Sequence, residues 1–532
     1  MDGKSLEEVL PVSGQRFVTL NVYRYNPDVD DKPRYQTYKV PYTRGMVVLD
    51  ALNYIYENID STLAYRWNCR TGQCGGCAVT INGKPGLACR TILEPEQTYS
   101  IGPLARFQVI RDLVVDFNRG VRRLEKIRPY VERVKPPPRP EKMSREEVAE
   151  AMELKSCIEC FSCVAACPSV VETWQEFIGP IGIGKLARLQ YDPRDVGDRV
   201  KLAFINGVYD CTTCGACKEV CTPRHIDIRR KAIERLRALA VDQGFGPMPG
   251  HVEFINNAKN TGYTIEVKTT PFVESVPEVI DVDNPVDEVF FFPGCLINLR
   301  LQGVGMNVLE VLKRNHVRVH IPKEFVCCGS VMFRSGAREV SKELVLKNVE
   351  YFEKLGVKKL VGLCPGCLST IKQDWPIVLH EIGRGPYSFK AMDINEYLVS
   401  DLGINRMNTK DLKPLDITVT YHDPCHLNRH QGISREPREL INLIPGVKFV
   451  ECDESDRCCG AGGGVRAGVR PLSYVIASRK LDLMKETGAN AFVTSCSFCT
   501  IQFRDAVSRF GYTEKVYNVT DLLAMSYKGV KP

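Results

Sequence analysis

The sequence predicts a multidomain protein of mixed α+β and α/β class, and three observations support this prediction. The chain has 532 residues, which is too long for one hydrophobic core and indicates several domains. Its 23 cysteines fall into separate clusters instead of being spread evenly. In the second half, short apolar strands alternate with helical patterns, as in α/β units with parallel sheets.

Composition and charge exclude several classes of protein. The apolar fraction of 44% is ordinary for a globular protein, and a formal charge of +7 is too mild to indicate nucleic-acid binding. No run approaches the roughly 18 apolar residues of a transmembrane helix, and the N-terminus lacks the pattern of a signal peptide. We therefore expect a cytoplasmic protein without a transmembrane segment, and peripheral contact with the inner face of the membrane stays open.

The first cysteine cluster has the C-x4-C-x2-C spacing of a plant-type 2Fe–2S site, with a more distant fourth cysteine. An odd number of cysteines in a chain without a signal is a poor disulfide framework, which leaves metal binding. Structural zinc rarely uses this asymmetric spacing. Strand patterns in "RFVTLNVYRY" and "TYKVPY" and a helical pattern in "VLDALNYIYENI" predict a β-grasp ferredoxin over residues 16–125. Its predicted ligands are Cys69, Cys74, Cys77 and Cys89.

Two further runs share the spacing C-x2-C-x2-C-x3-C, in which the fourth cysteine binds the other cluster in bacterial ferredoxins. Helical sequence separates the runs, so we predict an α-helical ferredoxin domain over residues 126–250 with two clusters. Crossed ligation predicts a first set of Cys157, Cys160, Cys163 and Cys221. It predicts a second set of Cys167, Cys211, Cys214 and Cys217.

The second half of the chain is an internal duplication, which follows a predicted linker at residues 251–284. Five cysteines recur 130 to 132 residues later, which predicts two α/β repeats at residues 285–405 and 406–532. Strands end directly before cysteines, so the ligands should lie beyond the carboxyl ends of parallel strands. The cysteines are Cys295, Cys327, Cys328, Cys364 and Cys367 in the first repeat and Cys425, Cys458, Cys459, Cys496 and Cys499 in the second. Cys452 has no counterpart and is not expected to be a ligand.

The first half resembles the iron–sulfur subunits of succinate dehydrogenase and fumarate reductase. The resemblance rests on "CRTGQCGGCAVTINGKPGLAC", "PLARFQVIRDLVVD" and "FIGPIGIGKLARLQYDPRD". Quinone-linked members typically lack a cysteine at the position of Cys214, and their third cluster is 3Fe–4S. The presence of Cys214 implies two 4Fe–4S clusters here and argues against a nearby quinone site.

The duplicated half resembles the cysteine-rich CCG domains of heterodisulfide reductase catalytic subunits. The resemblance rests on the adjacent cysteines in "VCCGS" and "RCCGAGGGV" and on the spacing of the cysteines around them. The resemblance implies a non-cubane 4Fe–4S cluster held by five thiolates in each repeat. Adjacent cysteines need a bent backbone, which Gly329 and Gly460 would permit. We expect the loop "GAGGG" to leave one side of its cluster uncovered, where a disulfide could approach. Zinc or redox-silent packing in one repeat is the alternative.

As a whole, the chain resembles the B subunits of thiol:fumarate reductases. This implies electron transfer between a thiol or disulfide site in the CCG half, for the heterodisulfide of coenzymes M and B, and a separate FAD flavoprotein that reduces fumarate. No flavin motif is found on this chain, so no flavin is expected on it. Two alternatives remain: a succinate dehydrogenase subunit with a fused quinone-linked CCG module, and an electron-transfer adaptor without a substrate site.

His422 is the one candidate catalytic residue, because it lies three residues before Cys425 in "HDPC". It could supply a proton to a thiolate leaving group. Hydrogen bonding around the metal site or simple packing is the alternative interpretation.

Overall fold

The computed structural model describes residues 15–173, 176–221 and 225–532, and these residues form two compact units. The described part of the first unit lies within Met1–Val171, Ile178–Gly197 and Ala216–Ile228. The second unit lies within Glu172–Phe177, Asp198–Gly215 and Arg229–Pro532. The predicted combination of α+β and α/β architecture is confirmed, and the segment 126–250 contributes residues to both units.

A five-stranded mixed sheet in the first unit has the predicted β-grasp arrangement. Its order is β2-β1-β5-β3-β4, with β1 and β5 parallel and the other pairs antiparallel. Strand β1 alternates between buried and half-buried residues, as expected for a sheet with one face on a core. Helix Val48–Asn58 buries five apolar side chains. The strands are β1 (Phe17–Arg24), β2 (Arg34–Pro41), β3 (Ala78–Ile81), β4 (Lys84–Leu87) and β5 (Thr98–Gly102).

A short hairpin and several helices complete the first unit. The hairpin pairs β6 (Gln108–Arg111) with β7 (Val114–Asp116). One helix begins at a capping box in which the Ser144 side chain accepts from the backbone of Glu147 and the Glu147 side chain accepts in return. This helix is Arg145–Lys155, and the others are Asn118–Glu125, Ser162–Ala165, Gly179–Gln190, Ala216–Glu219 and Pro168–Glu172, the last of which ends in a residue of the second unit.

The early part of the second unit is helical and includes much of the segment predicted as a linker, 251–284. This segment is not a bare connector, because Phe272 is fully buried and β8 (Val279–Ile280) pairs with a strand of the first repeat. The predicted domain bounds themselves stay predictions. The elements are Arg199–Ile205, a 3-10 turn at Val208–Asp210, a π turn at Arg229–Ile233, and helices Glu234–Asp242, Pro249–Thr261 and Phe272–Ser275.

The first repeat is built on a sheet of order β12-β11-β9-β10-β8, which is parallel except for β8 at the edge. The strands are β9 (Asp287–Phe292), β10 (Val317–His320), β11 (Lys359–Gly362) and β12 (Lys390–Asp393). The helices are Gly294–Leu299, Gln302–Arg314, Ser330–Ser335, Arg338–Lys354, Pro365–Gln373, Trp375–Glu381 and Ile394–Glu396. A π turn at Tyr397–Asp401 and 3-10 turns at Ile404–Arg406 and Thr409–Asp411 follow.

The second repeat has a fully parallel sheet of order β14-β13-β15-β16. The strands are β13 (Ile417–His422), β14 (Val447–Phe449), β15 (Ala491–Thr494) and β16 (Lys515–Asn518). The helices are Asn428–Gln431, Arg435–Asn442, Val465–Gly468, Arg470–Lys485, Ser497–Phe510 and Val519–Lys528. The two repeats share one hydrophobic core that extends from Ile255 to Tyr527.

Two adjacent strands of each sheet point their carboxyl ends at cysteines. Cys295 and Cys364 follow β9 and β11, and Cys425 and Cys496 follow β13 and β15. Neighbouring parallel strands therefore bring residues that are distant in sequence to one edge of each sheet. Among the described residues, we find no helix with the length and apolar character needed to cross a bilayer.

Candidate metal centres

The four predicted 2Fe–2S ligands lie together on the glycine-rich loop and the following hairpin of the first unit. Hydrogen bonds join Cys69 to Cys74 and Cys77 to Cys89. The backbone N–H of Gln73 donates to the Cys69 sulfur at 3.2 Å. Backbone N–H groups, those of Thr71 and Gln73, lower the pKa of Cys69 to about 6, which favours the thiolate that a metal requires.

The first predicted 4Fe–4S set also converges. Cys157, Cys160, Cys163 and Cys221 line one cavity in the first unit, so Cys221 joins the earlier run as crossed ligation predicts. The 2Fe–2S loop lies directly beside this set. A Cβ built at Gly75 would lie 2.9 Å from the Cα of Cys160, so only glycine allows this approach.

For the second 4Fe–4S set, the structure places Cys211 and Cys214 near each other in the second unit, both buried. The N–H of Thr213 donates to the Cys211 sulfur at 3.3 Å. The sulfur of Cys214 also forms a hydrogen bond with Cys458 of the second repeat. The complete set, with Cys167 and Cys217, stays a prediction.

The ten cysteines of the two repeats form one continuous array of thiols in the second unit. Neighbouring members interact electrostatically, and the sulfurs of Cys459 and Cys499 form a hydrogen bond at 3.2 Å. In contact order, the array runs through Cys295, Cys327, Cys328, Cys367, Cys364, Cys496, Cys499, Cys459, Cys458 and Cys425. The sequence predicts two sets of five, and the structure brings the two sets into contact through Cys364 and Cys496.

The middle of this array is its most accessible part. Cys364 and Cys367 are half-buried, whereas the other eight thiols are buried. Hydrogen bonds from the Cys367 and Cys496 thiols hold the pKa of Cys364 well below its usual range. The part of the array where the two repeats meet therefore combines its least buried residues with a sulfur of thiolate character.

Buried arginines add positive charge beside the array. Arg334 is 2% exposed and pairs with Glu234 at 3.0 Å and with Asp374 at 2.7 Å. Arg229 pairs with Glu234, and Arg230 with Asp374. The positive charge of Arg334 interacts with Cys328. This interaction favours the thiolate form of Cys328.

Sequence reasoning missed these arginines, and it missed Arg237, which is fully buried. The Arg237 guanidinium donates to the carbonyl oxygens of Val208, Cys211, Arg334 and Gly463 at 2.6 to 3.0 Å. It thereby ties the segment that carries Cys211 to both repeats. No spacing rule relates positions so far apart in the chain, so no sequence signal was present.

The glycine loop of the second repeat does not leave its cluster uncovered, and that prediction was wrong. A Cβ built at Gly463 would lie 2.4 Å from the carbonyl oxygen of Cys211, and one at Gly462 would lie 2.5 Å from that of Thr212. His251 covers Gly464, and its Nε2 lies 3.0 Å from the Gly464 carbonyl oxygen. The glycines allow the backbone around Cys211 to pack closely against the loop, so access from this side is closed.

Two remaining candidates occupy separate places. Cys452 donates to the Asp453 carbonyl at 3.0 Å and accepts from Lys480 Nζ at 3.3 Å. That Cys452 is not a ligand stays a prediction. The candidate catalytic residue His422 is fully buried, and its ligand atom and the Cys459 and Cys499 sulfurs all lie within 4.8 Å of one another.

The donor groups fit iron–sulfur clusters. Thiols dominate each set, and a backbone N–H points at a cysteine sulfur in four of the motifs: at Cys69, Cys211, Cys327 and Cys458. Such hydrogen bonds to sulfur are characteristic of cluster sites. When bound, the clusters would supply one-electron transfer. The assignment of each ligand stays a prediction, as do the numbers and types of clusters.

Family models match most of the motif-bearing chain. A 2Fe-2S iron-sulfur cluster binding domain matches residues 19–122, and a 4Fe-4S dicluster domain matches 153–226. A cysteine-rich domain matches twice, at 289–372 and 419–504. Together these domains define an iron–sulfur component of an oxidoreductase.

Comparison with whole proteins narrows this class. The chain is 36% identical to the B subunit of the fumarate reductase (CoM/CoB) of Methanothermobacter marburgensis, over 96% of this chain and 99% of that protein. It is 30% identical to the D subunit of the dihydromethanophenazine:CoB–CoM heterodisulfide reductase of Methanosarcina barkeri, over 70% of this chain and 94% of that protein. The chain belongs to the family of fumarate reductase (CoM/CoB) B subunits.

A solved structure shows the same fold over nearly the whole length. The crystal structure of a hypothetical protein from Helicobacter pylori matches with a TM-score of 0.64, covering 96% of this chain and 95% of that one. The sequences are only 13% identical, so this likeness concerns the fold alone.

Proposed function

We propose that this chain transfers electrons between a thiol site in its CCG half and a FAD flavoprotein subunit that reduces fumarate. The proposed thiols are coenzymes M and B, which form a heterodisulfide when they lose two electrons. The observation that carries the proposal is the continuous thiol array, whose accessible middle lies where the two repeats meet. A disulfide or a pair of thiols has two sulfur atoms, and two adjoining sites can each exchange one electron with it.

The contacts of the array support a path toward the ferredoxin half. Cys458 of the second repeat contacts Cys214, and Arg237 holds the Cys211 segment against the glycine loop. Within the first unit, Gly75 brings the predicted 2Fe–2S loop against Cys160. Within each unit, these close approaches favour short distances between neighbouring sites, as electron transfer requires.

The test uses the purified complex of this chain with its flavoprotein subunit under anaerobic conditions. We expect oxidation of coenzyme M and coenzyme B thiols with fumarate as the electron acceptor, with one succinate formed per heterodisulfide. Replacement of the accessible thiol in Cys364→Ser should abolish this reaction. The same variant should keep fumarate reduction by a small artificial donor, such as reduced viologen, that can pass electrons directly to the flavoprotein.

Cys452→Ser is the matched control, because Cys452 is buried in the same unit but lies outside the array. It should retain both activities. Reduction of a quinone without any thiol activity would favour the fused quinone-linked module instead. A complex that does neither would favour an adaptor without a substrate site.

A further inference from the structure

His422 is a buried polar side chain without a hydrogen-bond partner. It is the last residue of β13 and is fully buried. Neither ring nitrogen forms a hydrogen bond with any described residue. The imidazole packs against the Phe503 ring in a T-shaped arrangement, with the ring centroids 4.9 Å apart. A buried N–H that lacks an acceptor is destabilising, so this group requires a specific reason to be here.

The sulfurs nearest to His422 belong to the second repeat. The ligand atoms of His422, Cys459 and Cys499 all lie within 4.8 Å of one another. An imidazole ring carries at least one N–H donor whether it is neutral or protonated.

The corresponding position of the first repeat carries no hydrogen-bond donor. Phe292 ends β9 three residues before Cys295, as His422 ends β13 three residues before Cys425. Phe292 is 1% exposed, and its ring packs against Phe325 and Phe352. The two repeats thus differ at one corresponding position, where an aromatic hydrocarbon replaces a hydrogen-bond donor.

We propose that, when the second CCG site holds its cluster, His422 donates an N–H hydrogen bond to a thiolate of this site, Cys459 or Cys499, and makes the site easier to reduce than it would be without the imidazole. Hydrogen bonds to cluster sulfurs withdraw electron density and stabilise the reduced form, which carries more negative charge. Five cysteines already provide more thiolates than four irons need, so a hydrogen bond suits the imidazole better than direct ligation. In this role His422 keeps its proton, unlike the proton donor that the sequence suggested.

The proposed effect has a definite place in the molecule. The site that it makes easier to reduce belongs to the repeat whose Cys458 contacts Cys214. The hydrogen bond would therefore favour electron density beside a predicted ligand of the second ferredoxin-type cluster. The test of this proposal requires neither thiols nor fumarate, so the proposal can fail while the proposed function holds, and the reverse.

The test is a redox titration of the full-length holoprotein, followed by electron paramagnetic resonance of the two CCG sites. In His422→Phe, we expect the ratio of reduced to oxidised second site at a fixed potential to fall about tenfold, which equals 59 mV for one electron. The first site should not shift. His422→Asn retains an N–H donor and should recover part of the difference. The reciprocal Phe292→His should make the first site easier to reduce.

Three results would overturn the proposal. One is a His422→Phe protein in which both midpoint potentials equal those of the wild type. Another is strong nitrogen hyperfine coupling in the wild-type second site, because it would identify His422 as an iron ligand. If His422→Phe loses the second cluster, the Phe292→His protein becomes the test. An unchanged midpoint potential of its first site contradicts the proposal, and an upward shift of that potential supports it.

Discussion

Asp393 is a buried carboxyl group whose protonation should be visible in the stability of the protein. Its Oδ1 accepts from the backbone and side-chain nitrogens of Asn395 at 2.9 and 2.6 Å, while Oδ2 has no partner among the described residues. Burial raises the pKa of Asp393 to about 7 from 3.8. The folded protein therefore binds a proton that the unfolded chain releases in this range. The resulting stabilisation is complete below about pH 4 and is lost as the pH rises through 7.

We expect Asp393→Asn to remove this pH dependence, because the amide stays neutral. Relative to the variant, the wild-type free energy of unfolding should fall by about 2–4 kcal/mol between pH 4 and pH 8. Anaerobic chemical denaturation at several pH values measures the difference. The exposed Asp416→Asn is the control and should leave the pH profile parallel to that of the wild type. Parallel profiles for Asp393→Asn and the wild type would contradict the assignment.

Cys214 is the residue on which the predicted type of the second ferredoxin cluster depends. A cubane needs four thiolates, so removal of one should release one iron. We expect Cys214→Ser to give a 3Fe signal in electron paramagnetic resonance of the oxidised protein. Cys452→Ser, which removes another buried thiol of this unit, should give none. A wild-type protein that already shows the 3Fe signal at full occupancy would exclude a second 4Fe–4S cluster.

The glycine loop of the second repeat permits a separate test at the level of elements. Gly463 has φ +64° and no room for a Cβ beside the Cys211 carbonyl, whereas Gly488 has φ +70° and open space around it. Gly488→Ala should lower the free energy of unfolding by about 1–2 kcal/mol, because the new side chain is unfavourable only through the left-handed backbone. Gly463→Ala should lower it further, since the Cys211 backbone must also move. Chemical denaturation of both variants compares the costs, and equal values would argue against close packing at Gly463.

Local patterns predicted the elements well where one physical rule dominated. The strand pattern predicted β1. The turn at Asn82 and Gly83, both with positive φ, joins β3 to β4, as is usual for an Asn-Gly pair. The segment 251–284 was predicted as a linker because it is polar and rich in proline. Its few apolar side chains, such as Phe272, are nevertheless buried, and composition averages cannot show which individual residues pack.

At the scale of the whole molecule, the sequence predicted which cysteines belong to each set but not how the sets meet. The duplication indicated ten thiols in two groups, since equal spacing places equivalent residues at equivalent strand ends. The contact between Cys364 and Cys496 depends on the way two repeats share one core. The cover on the glycine loop depends on Arg237 and His251, which lie more than 200 residues earlier. Long-range packing of this kind leaves no periodic signal.

An anaerobic iron count on the isolated chain tests the set of predicted sites as a whole. One two-iron site and four four-iron sites give roughly 18 irons per chain, with acid-labile sulfide measured alongside. Double replacements then assign the irons. Removal of the adjacent pair in Cys327→Ser with Cys328→Ser should lose about four irons, and Cys69→Ser with Cys74→Ser should lose about two.

Cys452→Ser should lose no iron, which controls for the removal of a buried thiol. Zinc in place of iron in either repeat would favour a structural role for that repeat. In that case, the array would have only one site able to exchange an electron. A thiol pair must lose two electrons to form a disulfide, so a chain with a single active site would need to release them one at a time.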